Sequence, residues 1–204
     1  MVRLTPDSLS QKIAFTAVAF GTIALVLACV GMGTPNWYIQ YGPKLSGTGY
    51  YKISSVNFFY SCNWMNDGTL INCTKRNGNL YGYPYSSGAL WMNDFYQRMQ
   101  NAGALCIVGI IFIAFGTLAT LIMALVYFPT WVNLFPPILF FIACLFMLAG
   151  MAEGSRYLLY NGYSVNLYQT GHLLTMFALF LSALSAGRIH FSRWTEADIN
   201  TTPK

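Results

Sequence analysis

The sequence predicts a membrane all-α bundle of four transmembrane helices with a small disulfide-pinned extracellular antiparallel sheet. Three observations carry that prediction. The chain of 204 residues is 55% hydrophobic and only 8% charged, whereas a soluble domain carries about 25% charged residues. Its apolar residues gather into four runs long enough to span a bilayer. Between the first two runs lies a polar, Tyr- and Trp-rich stretch holding Cys62, Cys73 and the sequon Asn72-Cys73-Thr74.

The first run, Ile13 to Gly33, is uncharged. At about 1.5 Å per residue it covers roughly 31 Å, close to the hydrocarbon thickness of about 30 Å. It is too long for the core of a signal peptide, about 7–15 residues, and no small-x-small site follows it, so a retained helix is expected. The second span is Ala102 to about Phe128. The third is about Leu134 to Ala152, with Pro136 and Pro137 in its first turn, where missing N–H groups cost least. The fourth is Gly171 to Gly187, with an earlier start near Val165 as the alternative. These limits leave loops at 34–101 and 153–170 and tails at 1–12 and 188–204.

The 34–101 loop alternates in short runs. Trp37, Ile39 and Tyr41 share one face, Tyr38 and Gln40 the other. Tyr50 to Ser54, Val56 to Asn63 and Thr69 to Thr74 are further expected strands. Asp67-Gly68 is a hairpin turn signal inside the Cys62–Cys73 loop. Near Trp91 the pattern turns helical, as an extension of the second span.

Orientation follows from compartment chemistry. A sequon is modified on the lumenal side of a membrane, and a disulfide persists where conditions are oxidising. Asn72 is therefore the expected glycosylation site, and Cys62–Cys73 the expected disulfide, of an exterior loop. An even number of spans then puts both termini in the cytosol, and plasma-membrane residence is expected.

The composition disfavours other classes. The net charge of +5 suits anionic lipid headgroups better than nucleic acid, so the bilayer is the expected partner and nucleic acid is not. The acids are few and scattered, and His172 and His190 stand on opposite sides of the membrane in this topology. No metal-ligand spacing occurs. No enzymatic activity, cofactor or metal is expected. Cys29, Cys106 and Cys144 are expected as small apolar fillers of the spans, and His172 as a hydrogen-bonded packing residue.

Other residues have two readings. Arg98, Glu153 and Arg156 are either interfacial anchors or an outer-edge ion pair. Gly116, Thr120 and Ala124, and Ala178, Ser182 and Ala186, form small-residue stripes, suited to internal packing or to a lateral self-association face. Trp37, Trp91 and Tyr168 fit a membrane-interface belt. Tyr50, Tyr51, Phe58, Phe59 and Tyr60 are mid-loop, and form a candidate recognition surface whose members split between an inner and an exposed side.

The layout resembles the claudin superfamily, which includes the peripheral myelin protein group and the stargazin-type channel subunits. Trp37 matches the family's early Trp. Cys62 and Cys73 match its cysteine pair, and Phe59 stands where the second Trp of Gly-Leu-Trp belongs. Arg98 matches an arginine at the outer start of the second helix. Asn57-Phe58 replaces the Gly and Leu, and Arg98 lies further from the second cysteine than usual. In this divergence the chain is similar to invertebrate claudin-like proteins such as the nematode Clc-like group. The resemblance implies a left-handed four-helix bundle capped by the extracellular sheet, and cell–cell contact, junction or barrier organisation, with self-association laterally or across cells. It also implies an alternative, an auxiliary subunit bound to a channel or receptor. The ending Thr201-Thr202-Pro203-Lys204 lacks a terminal hydrophobe, so no PDZ scaffold is expected.

Overall fold

The elements run α1 (Ser8–Gly33), β1 (Tyr38–Pro43), β2 (Tyr50–Val56), β3 (Tyr60–Trp64), β4 (Leu70–Lys75), α2 (Ser87–Leu125), α3 (Thr130–Asn133), α4 (Phe135–Gly154) and α5 (Tyr163–Thr201). This computed structural model describes residues 8–44, 48–75, 87–126, 130–156 and 158–201. The first seven residues, the stretch 76–86, the last three residues and the side chains of Trp91 and His190 lie outside that description.

Among the described residues, four helical stretches are long and apolar enough to cross a membrane: Ser8–Gly33, Gln97–Leu125, Trp131–Gly154 and Tyr163–Arg188. Their surfaces invert the pattern of a soluble protein. Large side chains such as Phe15, Ile23, Ile111, Phe115, Phe141, Leu148 and Phe180 are exposed, while Ala14, Ala17, Ala24, Ala28 and Ala143 are buried. Lipid tails accept large apolar groups without penalty, and close helix packing wants small ones. The chain is a multi-pass membrane protein. Buried positions recur at spacings of three and four, as in Ala14, Ala17, Gly21, Ala24 and Ala28, the heptad spacing of left-handed helix packing.

α1 begins at Ser8, inside the expected 1–12 tail, and two other helices also run past the expected span limits. The second span is the apolar part of a 39-residue helix that begins at Ser87, so the expected helical extension near Trp91 is present. The fourth helix starts at Tyr163 and continues through the expected tail to Thr201. No proline interrupts residues 163–201, and Gly187, at the expected limit, costs only about 1 kcal/mol relative to Ala. The loop before it is correspondingly shorter. Pro136 and Pro137 stand in the first turn of α4.

The chain divides into two compact units. The first comprises Met1–Val26, Gly109–Leu145 and Thr170–Lys204. There the two small-residue stripes are spent on internal packing. Gly116, Thr120 and Ala124 are buried, as are Ala178, Ser182 and Ala186. Thr120 and Ser182 share a hydrogen bond of 3.3 Å between their hydroxyls. The stripes therefore do not form a free lateral face. Ser185 Oγ donates to the Ser10 carbonyl, and Gln11 Nε2 to that of Ala124. His172 is buried, with Nε2 3.3 Å from the Cys144 carbonyl oxygen, which is the packing role expected of it.

The second unit comprises Leu27–Val108 and Phe146–Gln169. It holds an antiparallel sheet in the order β1-β2-β3-β4. One step along β1, from Gln40 to Tyr41, matches two along β2, leaving Ile53 as an extra residue. The run Val56 to Asn63 is not one strand. Asn57 Oδ1 accepts from the N–H groups of Phe59 and Tyr60, at 2.8 and 2.7 Å. This side-chain-made turn, a habit of Asn, breaks the run into β2 and β3. The expected Asp67-Gly68 hairpin is present. Gly68 has φ +86°, and Asp67 Oδ1 accepts from both the N–H and the hydroxyl of Thr69.

Candidate functional site

The sheet is anchored by one indole. Trp37 stands in the short link between α1 and β1 and is fully buried. Its Nε1 donates to the Gly31 carbonyl at 2.7 Å. Its ring lies 4.5 Å from that of Phe58, 5.3 Å from Tyr168 and 5.6 Å from Tyr160, centroid to centroid. Tilted and edge-on aromatic pairs each add about 0.5–1.5 kcal/mol beyond buried area. Trp37 and Tyr168 are thus core residues and not an interface belt. Gly31 makes room for the cluster: a Cβ there would lie 2.7 Å from the Ser164 carbonyl oxygen. Tyr160 Oη donates to the Met151 carbonyl at 2.6 Å, and burial pushes the Tyr160 hydroxyl well above the usual phenol range.

A polar collar surrounds this anchor. Asn36 N–H donates to Ser164 Oγ, Ser164 N–H donates back to the Asn36 carbonyl, and Asn36 Nδ2 donates to Tyr163 Oη. Asn57 Nδ2 donates to the Thr34 carbonyl. Lys52 Nζ donates to Asn36 Oδ1 and stands 3.8 Å from the centroid of the Trp64 ring. Burial holds Lys52 below the usual lysine range.

Phe58 was expected on a recognition surface, and the structure removes it. It is 2% exposed, because the Asn57 turn directs it onto Trp37. Phe59 is half-buried beside α2, where a Cβ on Gly103 would lie 3.0 Å from its ring. The aromatic that meets Trp37 is thus Phe58, one residue before the Phe59 that the resemblance aligns with the family's second Trp.

The other aromatics divide by face. Residues directly opposed in antiparallel strands project to the same side. Tyr41 opposes Lys52, Pro43 opposes Tyr50, and Trp64 opposes Leu70. The Lys52–Trp64 contact joins these pairs, so Tyr41, Tyr50, Lys52, Trp64 and Leu70 share one face. Tyr50 is 75% exposed and Tyr41 58%. Tyr51 lies on the opposite face with Gly42 and is half-buried. Tyr60 is exposed at the other end of the sheet.

Cys62 and Cys73 are directly opposed on β3 and β4 and form a disulfide, their Cα atoms 4.0 Å apart. Asn72 is exposed on β4. The ionic residues also meet. Arg98 Nη1 lies 2.9 Å from Glu153 Oε1, and Arg98 Nε lies 2.9 Å from Asp94 Oδ2. Arg156 is a looser partner of Glu153, at 3.9 Å. Asp94 had no role in the sequence reading, although its i,i+4 spacing to Arg98 is a signal for pairing.

Asn161 was also missed. It holds the free edge of β1, accepting from the Ile39 N–H at 2.7 Å and donating to the Ile39 carbonyl at 2.8 Å. Nothing local in the sequence marks a side-chain amide as a substitute strand. Among the described residues no three His, Cys, Asp or Glu side chains gather as a metal set. Comparison with protein-family models and with curated proteins finds no match to this chain.

Proposed function

We propose that the chain is a claudin-like plasma-membrane protein whose exterior sheet makes contacts between cells, with both termini in the cytosol. The observation that carries the reading is the Tyr41–Tyr50–Trp64–Leu70 face, apolar and aromatic at the end of the sheet remote from Trp37. Exposed aromatic groups of this kind are the usual energetic centres of protein recognition. The disulfide supports an exterior placement, since such bonds persist in oxidising compartments. The order of four spans, the sheet after the first, and the Trp37, Cys62 and Cys73 positions support the family resemblance.

The test is aggregation of cells expressing the chain. Tyr41→Ser with Tyr50→Ser should abolish aggregation at unchanged surface level. If those changes spare cell contact but alter the current or delivery of a co-purifying channel, the protein is an auxiliary subunit instead. If they do neither, the aromatic face is not a recognition surface.

A further inference from the structure

By its strand order the sheet has two outer edges, β1 and β4. The β1 edge is closed. Asn161 engages both backbone groups of Ile39, Gly162 N–H donates to the Trp37 carbonyl, and Ser164 N–H donates to that of Asn36. The β4 edge has no such cover among the described residues. All six of its residues are exposed, Leu70 and Ile71 among them. An exposed apolar edge strand is a template for pairing with another chain. The usual guards are weak here: β4 contains no proline, and its one charge, Lys75, stands at its end.

At the middle of this edge stands Asn72-Cys73-Thr74. Asn72 Oδ1 accepts from Asn63 Nδ2 at 3.5 Å, and no described residue takes up Asn72 Nδ2. We infer that Asn72 carries an asparagine-linked oligosaccharide and that this glycan is the cover of the β4 edge. The inference rests on the exterior placement of the sheet proposed above. In the transfer, Asn72 Nδ2 forms a bond to the anomeric carbon of a lipid-diphosphate-linked oligosaccharide. The bond from that carbon to the diphosphate breaks, the lipid diphosphate leaves with the electron pair, and one amide proton is lost. Nothing is oxidised or reduced. A strand of this length spans about 20 Å, so Asn72 is within roughly 10 Å of either end. A further strand would have to approach to about 4.8 Å along the whole edge, and a branched sugar rooted at its centre prevents that.

The test uses the full chain expressed in a mammalian cell. Asn72→Gln and Thr74→Ala remove the acceptor in two ways, and Thr74→Ser keeps it. The wild type and Thr74→Ser should show a mobility shift that peptide N-glycosidase abolishes, and the other two should not. Light scattering in detergent should then show a several-fold rise in dimers and larger species for Asn72→Gln and Thr74→Ala alone. Adding Ile71→Lys to Asn72→Gln, which charges the bare edge, should reverse the rise. An unmodified Asn72 on a sheet that protease protection places outside overturns the glycan. A modified Asn72 whose removal leaves the oligomer distribution unchanged overturns the shielding role. A sheet found in the cytosol overturns the orientation itself, and the inference with it.

Discussion

Asn161 holds Ile39 by both backbone groups, with its Oδ1 2.7 Å from the Ile39 nitrogen and its Nδ2 2.8 Å from the Ile39 oxygen. The side-chain amide occupies the place of a neighbouring strand's peptide. Asn161→Ala should lower stability by about 1–2 kcal/mol, the cost of leaving two backbone groups to find other partners. Asn161→Asp should be worse, because it keeps an acceptor for the N–H but sets a carboxylate against the Ile39 carbonyl. Thermal unfolding of the purified protein in detergent ranks the three.

Phe58 and Tyr50 should separate stability from recognition. Phe58→Ala removes a ring from the Trp37 cluster and should cost about 3–5 kcal/mol, seen as lost surface delivery and a lower melting temperature. Tyr50→Ala should change stability by no more than about 0.5 kcal/mol. Equal effects at the two positions would contradict their opposite burial.

The Cys62–Cys73 bridge closes a short loop, with a sequence separation of 11. Its loss should cost about 3 kcal/mol. Cys62→Ser, Cys73→Ser and the double variant should melt alike, since either single change already removes the bond. Peptide mapping without reduction identifies the linked pair. Free thiols at both positions in the mature protein would exclude it.

Arg98 ties α2 to α4 through Glu153 while gripping Asp94 on its own helix. Lysine offers one charged centre where this geometry uses a fork. Arg98→Lys should therefore lower the melting temperature less than Arg98→Ala but not restore it. Exchanging the charges, Arg98→Glu with Glu153→Arg, should recover part of the loss suffered by either single change.

Asp67 supplies a pH dependence. The hydroxyl and N–H of Thr69 hold its carboxyl below the ordinary value of 3.8. A carboxylate whose folded pKa is depressed contributes stability above its unfolded pKa, and that contribution is lost as pH falls through the folded value. Exchange protection of the Thr69 amide should thus be constant from neutral pH down to about 4 and fall below that. Asp67→Asn keeps an oxygen acceptor without a titrating group, and should flatten this acid limb.

Gly162 tests how closely the segment before α5 seats on the sheet. A Cβ there would collide with the backbone carbonyl of Asn36, and backbone cannot rotate aside as a side chain can. Gly162→Ala should cost about 1–3 kcal/mol through overpacking, read as a lower melting temperature.

The sequence alone determined the membrane class, the four spans, the sheet after the first span, its Asp67-Gly68 turn and its disulfide. Each rests on a local quantity: the length of an apolar run, the alternation of a strand, the φ freedom of a glycine, or the spacing of two cysteines. The tertiary structure decided which aromatic meets Trp37, because the Asn57 side chain ends β2 and redirects Phe58 inward. It also moved Trp37 and Tyr168 from an expected lipid belt into the core, and spent the small-residue stripes on internal packing. It assigned Asn161 to the β1 edge across 122 residues of chain. These depend on partners far away in sequence, and no periodicity within one segment specifies which distant group fills a given cavity or satisfies a given backbone N–H.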